Sequence, residues 1–219
     1  MAKHIEDLFG VFFNIPKQIS DKVAKIQKEF GISYSGNYML TPHVTFYATK
    51  FTKNAVEKFE KEFKDLKLKP FKVKMGKVKS EVPLRKGNTF LYISILKNKP
   101  LMDVHKSVLE VANRLRGGLI RAKDLIRIKQ NIYSSEEVEY IKKYGFMRVL
   151  KFFRPHITLG ELSKKDAKER DLKNKLTKRL KSLEGRGFMI DSIKVDFQPY
   201  DYHKKMFVGK AIFKEIKLK

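Results

Sequence analysis

One five-residue frame occurs twice in this chain of 219 residues, and it constrains the fold more than any other feature. The frame reads Pro-His, then Val or Ile, then Thr, then Phe or Leu, at residues 42–46 and 155–159. Given how rarely these residue types occur here, two chance copies have odds on the order of one in a million. Because the copies lie in different halves of the chain, we expect two related structural units.

The elements predicted around the two frames follow the same order in each half: strand, helix, frame strand, helix, strand. The second half is longer by roughly 32 residues, which we place between Gly117 and Arg148. The predicted strands lie at 8–15, 42–49, 71–78, 89–96, 155–159, 187–197 and 206–218. The predicted helices lie at 20–30, from 52 onward, at 101–115 and at 164–183.

This order predicts an α+β fold in a single bilobal domain covering residues 1–219. Lobe 1 takes up about 1–80 and lobe 2 about 88–219, related by a pseudo-twofold axis, with terminal strands free to exchange between lobes. The insertion at about 117–148 is rich in Lys and Arg. A basic flap over a cleft and an ordinary helical elaboration are two equal interpretations of it.

Composition excludes several classes of chemistry. The chain has no cysteine, which rules out disulfides, cysteine-bound zinc, iron–sulfur clusters and thiol nucleophiles. With 42% hydrophobic residues it can bury a core, and its net charge of +25 favours a polyanionic substrate. It has neither an apolar run of membrane-spanning length nor the start of a signal peptide, so we expect a cytoplasmic monomer without a membrane partner.

The frame carries residues suited to phosphodiester chemistry. On a strand, alternate side chains face the same way about 6.6 to 7 Å apart, so His43 and Thr45 project together, as do His156 and Thr158. Across a cleft, one neutral imidazole can accept a proton and one imidazolium can donate a proton, while the threonine hydroxyls bind phosphate oxygens. Histidine suits both roles because its pKa is ordinarily near 6.5.

Two other interpretations of the frame are structural. In either copy alone, a histidine bonded to a neighbouring carbonyl and a threonine favoured by β propensity would explain the pattern, but the duplication disfavours this. A two-histidine metal site lacks a third histidine or a carboxylate at ligand spacing. We therefore expect no metal and no other cofactor.

The paired frames resemble the motifs of the 2H (two-histidine) phosphoesterase superfamily. The sequence is most similar to its 2′-5′ RNA ligase / RNA 2′,3′-cyclic phosphodiesterase group. The resemblance covers most of the chain and implies a bilobal α+β fold, with antiparallel sheets lining a central cleft and helices outside. It also implies metal-independent hydrolysis of 2′,3′-cyclic phosphates and, in some members, reversible 2′-5′ ligation.

Residue by residue, the resemblance makes His43 and His156 the acid–base pair and assigns phosphate binding to Thr45 and Thr158. We favour His156 as base and His43 as acid. Two departures stand out: the chain is longer than the compact members, and Phe46 replaces a commoner aliphatic residue. The extra length leaves the size of the substrate open.

Four further residues are weaker candidates for substrate binding. Lys151 and Arg154 lie just upstream of His156 and could contact flanking phosphates, while Tyr92 and Tyr202 could stack on a base. For each of the four, an exposed charge or an aromatic packed on the sheet is an equally good explanation.

The sequence thus supports three hypotheses of function. The first is a phosphodiesterase acting on 2′,3′-cyclic or 2′-5′ linkages in RNA ends or nucleotides. The second, within the same chemistry, is degradation of 2′-5′ oligoadenylate or cyclic-oligonucleotide signals. The third is a non-catalytic RNA-binding module whose cleft holds phosphate without cleaving it.

Overall fold

The computed structural model describes residues 5–32, 42–81, 88–163, 169–201, 204 and 206–219. Within these ranges the strands are β1 (Ile5–Asn14), β2 (His43–Lys50), β3 (Phe71–Glu81), β4 (Asn88–Leu96), β5 (His156–Ser163), β6 (Gly187–Ile190), β7 (Ser192–Asp201), β8 (Met206–Phe207) and β9 (Ile212–Lys217). The helices are α1 (Lys17–Glu29), α2 (Lys53–Asp65), α3 (Lys99–Leu115), α4 (Ala122–Lys129), α5 (Ser135–Tyr144) and α6 (Glu169–Leu180).

The described strands form one nine-stranded sheet in the order β6-β3-β4-β5-β2-β1-β7-β8, with β9 also paired to β7. All of its pairings are antiparallel. This confirms the α+β class and the antiparallel sheet predicted from the sequence. The two frame strands, β2 and β5, are neighbours at the centre, and each is flanked by the strand that opens its own half, β1 or β4.

The hydrophobic core contains alternate residues of β1, namely Phe9, Val11 and Phe13, each at most 1% exposed. Helices α1 and α2 pack against it, and the ring of Phe59 meets that of Phe9 edge-on at 5.1 Å. The sheet's opposite face is therefore available for a cleft.

The predicted strand 187–197 is wrong as a single element. The chain breaks at Asp191 into β6, which pairs with β3, and β7, which pairs with β1 at the other end of the sheet. The physical reason is a change in the alternation of buried residues. Before the break the even-numbered Phe188 and Ile190 are buried, and after it the odd-numbered Ile193, Val195 and Phe197 are buried. A single strand would turn one of these sets towards solvent.

The predicted strand 206–218 is also interrupted. It comprises β8 and β9, separated near Gly209, whose φ of 75° lies in the left-handed region that favours glycine. Both strands pair antiparallel with β7 and run in the same direction along it, so the break only shifts the register between them.

Helix boundaries follow local capping. Helix α1 begins at Lys17, earlier than the predicted 20–30, because Pro16 supplies the fixed backbone angle of a helix start. The predicted start of α2 is confirmed: the side chain of Thr52 accepts a hydrogen bond from the backbone N–H of Ala55 at 3.3 Å. Part of the helix predicted at 164–183 is described as α6, while residues 164–168 lie outside the described ranges.

The segment proposed as an insertion contains α4 and α5 and is tied to the rest of the fold at its return. The guanidinium of Arg116 donates to the backbone carbonyls of Lys142 and Lys143 at 3.0 and 2.8 Å. The hydroxyl of Tyr47, on β2, donates to the carbonyl of Tyr144. These bonds hold the C-terminal end of α5 against α3 and β2.

None of the helices in the described ranges combines the length and the apolar character that crossing a bilayer requires.

Candidate active site

The two frames meet where β2 and β5 pair, with Val44 opposite Ile157. Both side chains are fully buried in the core. Paired residues of antiparallel strands point to the same face, and their neighbours along each strand point to the other. The residues flanking this pair therefore share the face opposite the core. They are His43, Thr45, His156 and Thr158, and all four are half-buried.

The antiparallel register determines how these four side chains are arranged. Continuing the pairing by one residue places Thr45 across from His156 and His43 across from Thr158, so the two histidines lie on a diagonal. Diagonal neighbours in a sheet are roughly 7–8 Å apart. That spacing leaves room for one phosphate group between two imidazoles, with a threonine hydroxyl on either side.

The strands outside this pair repeat the same pattern. On β1, Asn14 lies opposite His43 and Phe12 opposite Thr45. On β4, Ser94 and Tyr92 stand in the same positions, opposite His156 and Thr158. Each threonine thus has an aromatic neighbour and each histidine a small polar neighbour, as an approximate twofold axis between Val44 and Ile157 requires.

The last residue of each frame has a structural role that the sequence alone did not reveal. The β1–β2 register shifts so that Phe46 falls between paired Thr45 and Tyr47, and the β4–β5 register shifts so that Leu159 is the extra residue. Both side chains are fully buried. Each frame therefore ends in a β-bulge that turns the following residues to a new phase and fixes the direction of His and Thr.

His156 is held in the state that a general base needs. Its Nδ1 lies 2.6 Å from the carbonyl oxygen of Arg154; a carbonyl only accepts, so Nδ1 carries the proton and Nε2 of the neutral ring has a free lone pair. The rings of Tyr92 and Phe90 lie 5.1 and 5.5 Å from it. Burial, followed by the positive charge of Arg148, lowers the pKa of His156 to about 4.

His43 lies against the ring of Phe12, with centroids 4.9 Å apart. It is close enough to His156 for a positive charge on His43 to lower the pKa of His156. Two imidazolium ions at this spacing repel each other, so the state in which both rings are charged is disfavoured.

A family model described as a protein of unknown function, DUF1045, matches residues 52–204. The chain belongs to the DUF1045 family. None of the curated proteins compared with it matches.

Solved structures resemble this DUF1045 protein along nearly its whole length. Escherichia coli LigT complexed with 3′-AMP has a TM-score of 0.51 at 10% identity, covering 97% of this chain and 95% of LigT. A crystal structure of a phosphoesterase gives the same TM-score and identity, covering 97% and 96%. Kluyveromyces marxianus Usb1 has a TM-score of 0.49 at 12% identity, covering 99% of both chains. The fold expected from the 2H resemblance is confirmed.

Tyr92 and Arg154, both weaker candidates, lie beside His156 in the DUF1045 structure. Burial, followed by the negative charge of Glu81, raises the pKa of Tyr92, and the positive charge of Arg154 partly opposes this rise. The guanidinium of Arg154 donates to Oε1 of Glu81 at 3.0 Å, so its charge is already balanced.

Lys151 is paired with Glu136, and its ammonium group lies 5.0 Å from the ring centroid of Phe152. Its charge is therefore also balanced. Tyr202 lies outside the described residues.

Sequence reasoning missed Arg148 and Asn14. Arg148 acts electrostatically on both His156 and Tyr92, but the sequence assigned it to the end of the insertion and not to the site. Asn14 Oδ1 is buried without a hydrogen-bond partner among the described residues. Its signal was its place in β1, since β1 and β4 hold equivalent positions around the two frames.

Within the described ranges, no group of three or more His, Cys, Asp or Glu side chains is arranged to hold a metal ion.

Proposed function

We propose that the protein is a phosphodiesterase that hydrolyses 2′,3′-cyclic phosphates, at RNA ends or on nucleotides, without a metal ion. One observation carries this proposal: two His–Thr pairs share one face of the sheet, across the β2–β5 pairing and around a local twofold axis. The E. coli LigT structure of the same fold holds 3′-AMP, a nucleotide with a 3′ phosphate, which supports a substrate of this class.

In the proposed reaction, Nε2 of His156 accepts a proton from water as the water oxygen attacks the phosphorus. The bond from phosphorus to one ribose oxygen breaks, and His43 donates a proton to that oxygen. Thr45 and Thr158 donate hydrogen bonds to the non-bridging oxygens as negative charge builds on them. One water is consumed and a ribose monophosphate is formed. A 5′-hydroxyl that attacks in place of water, with the 3′ oxygen leaving and taking the proton, would give a 2′-5′ linkage.

We expect the acid limb of the kcat/KM profile to lie near pH 4. The pKa of His156 is lowered from 6.5 to about 4, and the base form exists only above that pKa. Activity should therefore persist as pH falls through 6 and disappear towards 4. The measurement is kcat/KM from pH 3.5 to 8, with circular dichroism confirming the fold at each pH. Arg148→Gln should move the limb upward, and a wild-type limb near pH 6.5 would contradict the assignment.

The function itself is tested with an oligonucleotide that ends in a 2′,3′-cyclic phosphate. We expect the wild-type protein to open the ring at the same rate with and without EDTA, because histidines and threonines supply every step. Product can be followed by chromatography of the monophosphate. No product, or product only after a divalent metal is added, would overturn the proposal.

The same assay separates the two alternatives. Faster cleavage of 2′-5′ oligoadenylate than of the cyclic end, with 3′-5′ oligoadenylate as the control, would make signal degradation the function. Tight, salt-sensitive RNA binding without turnover, unaffected by replacing both histidines, would indicate a non-catalytic binding module.

A further inference from the structure

Arg148 brings a positive charge without a carboxylate partner to the His156 side of the cleft. Its side chain is half-buried, and in the part of the chain that the structure describes it makes no ion pair. Its charge acts on both the His156 imidazole and the Tyr92 phenol. A cation partly withdrawn from water is unfavourable unless an anion compensates it, so this position suits a bound anion.

Three other basic residues of this region differ from Arg148 in this respect. Arg154 pairs with Glu81 at 3.0 Å, and Lys151 pairs with Glu136. Arg121, within the helical segment, pairs with Asp124 at 2.7 Å. The charges of these three residues are already balanced within the protein, whereas Arg148 has no counter-ion within the described ranges and is half-buried.

The backbone around Arg148 is fixed on both sides. The N–H of Val149 donates to the carbonyl of Met147 at 2.9 Å, which makes Arg148 the central residue of a γ-turn. The N–H of Leu150 donates to Nε2 of buried His105 at 3.0 Å. Arg148 is therefore displayed on a preorganised turn, which reduces the entropy lost when it binds an anion.

The position of Arg148 indicates which anion it binds. The phosphate to be cleaved fits between β2 and β5, whereas Tyr92 stands on β4, on the far side of β5. A charge that reaches both Tyr92 and His156 lies on the β4 side of that centre. On the opposite flank, β1 presents uncharged Asn14. Lysines lie in register on both flanks, Lys79 opposite Tyr92 and Lys194 opposite Phe12, and Arg148 adds a further positive charge on the β4 side.

We propose that Arg148 binds a second phosphate, the 5′ phosphate of the nucleoside whose 2′,3′ phosphate is cleaved. This inference rests on the proposed function. A guanidinium offers parallel N–H donors that match two phosphate oxygens, and the protonated hydroxyl of Tyr92 can donate a further bond. The preferred substrate is then the cyclic end of an oligonucleotide or a 5′-phosphorylated nucleotide, over a nucleoside that carries only the cyclic phosphate.

Equilibrium binding tests this without relying on turnover. Adenosine 3′-monophosphate and adenosine 3′,5′-bisphosphate are titrated calorimetrically into the wild type, Arg148→Gln, Arg148→Lys and Arg179→Gln at one fixed ionic strength. Arg179 pairs with Glu29 on the protein surface, so its replacement removes the same charge elsewhere. Thermal unfolding verifies that each variant is folded.

We expect the wild type and Arg179→Gln to bind the bisphosphate at least about tenfold more tightly than the monophosphate. Arg148→Gln should lose most of that preference while binding the monophosphate within about twofold of wild type, and Arg148→Lys should lie between them. No preference in the wild type, or the same preference in Arg148→Gln, would overturn the inference.

Equal weakening of both ligands in Arg148→Gln would place the arginine on the cleaved phosphate and would also overturn the inference. If the wild type binds neither nucleotide, both the inference and the proposed function fail. If the wild type binds the monophosphate but shows no preference for the bisphosphate, the inference fails and the proposed function stands.

Discussion

Replacing His156 by alanine should lower kcat on a 2′,3′-cyclic phosphate by about 10²–10⁴-fold, because it removes the proposed general base. KM should change far less, since the threonine hydroxyls and Arg148 remain to hold the phosphates. The measurement is steady-state hydrolysis of a cyclic-phosphate dinucleotide by the wild type and the variant, at matched folded fractions.

A second variant separates loss of the base from loss of packing. In His156→Asn, the side-chain amide can donate to the Arg154 carbonyl, as Nδ1 does at 2.6 Å, but nothing replaces Nε2. We expect a loss as large as in the alanine variant. Added imidazole should restore part of the rate to His156→Ala, where it has space to bind, and little to His156→Asn. An asparagine variant with near wild-type kcat would rule out His156 as the base.

The local structure of the frame could be predicted from the sequence because a strand's alternation is a property of neighbouring residues. His43 and Thr45 are half-buried, while Val44 and Phe46 are fully buried, as the period of two requires. The duplication of the frame pointed to a common face for both pairs. The helix start at Thr52 was readable for the same reason, since a cap acts over three residues.

Features that depend on long-range pairing could not be predicted in the same way. The strand predicted at 187–197 looked continuous, because β propensity does not reveal that β6 and β7 join opposite ends of the sheet. The change of phase at Asp191 was visible in the sequence, but its meaning required the partner strands. Arg148 could not be assigned to the site either, since its turn is positioned by contacts from α3 and β2 that lie far away in sequence.

The bulges connect the frame's sequence to its proposed chemistry. The extra residue is Phe46 in β2 and Leu159 in β5. Without it, the alternation along β2 or β5 would continue and turn the residues that follow the frame to the opposite face of the sheet. With the bulge, β2 directs His43 and Thr45 to the cleft and still presents Tyr47 to the helical segment that precedes Arg148. One strand thus supports both the proposed catalytic pair and the segment that carries the phosphate-binding arginine.

Replacing Arg116 by methionine should destabilise the protein by about 3–5 kcal/mol, because it removes four hydrogen bonds that a charged side chain donates. The guanidinium is buried and donates to the carbonyls of Leu119, Lys142 and Lys143 and to the side chain of Asn113, at 2.8–3.0 Å. It thereby caps the C-terminal end of α5, where free carbonyls attract a positive charge. The measurement is urea unfolding of the wild type and the variant.

The same variant also tests whether this anchor positions Arg148. Arg116→Lys, which keeps the charge but offers fewer donors, should fall between the wild type and Arg116→Met in free energy of unfolding. Under conditions where it is folded, Arg116→Met should lose preference for adenosine 3′,5′-bisphosphate while keeping most of its affinity for the 3′-monophosphate, because the loosened segment carries Arg148 and not the His–Thr pairs. An unfolding free energy within about 1 kcal/mol of wild type would contradict the anchoring role, given what hydrogen bonds from a charged donor contribute. An unchanged preference in a destabilised variant would show instead that the turn at Arg148 is held by His105 and its own backbone bonds.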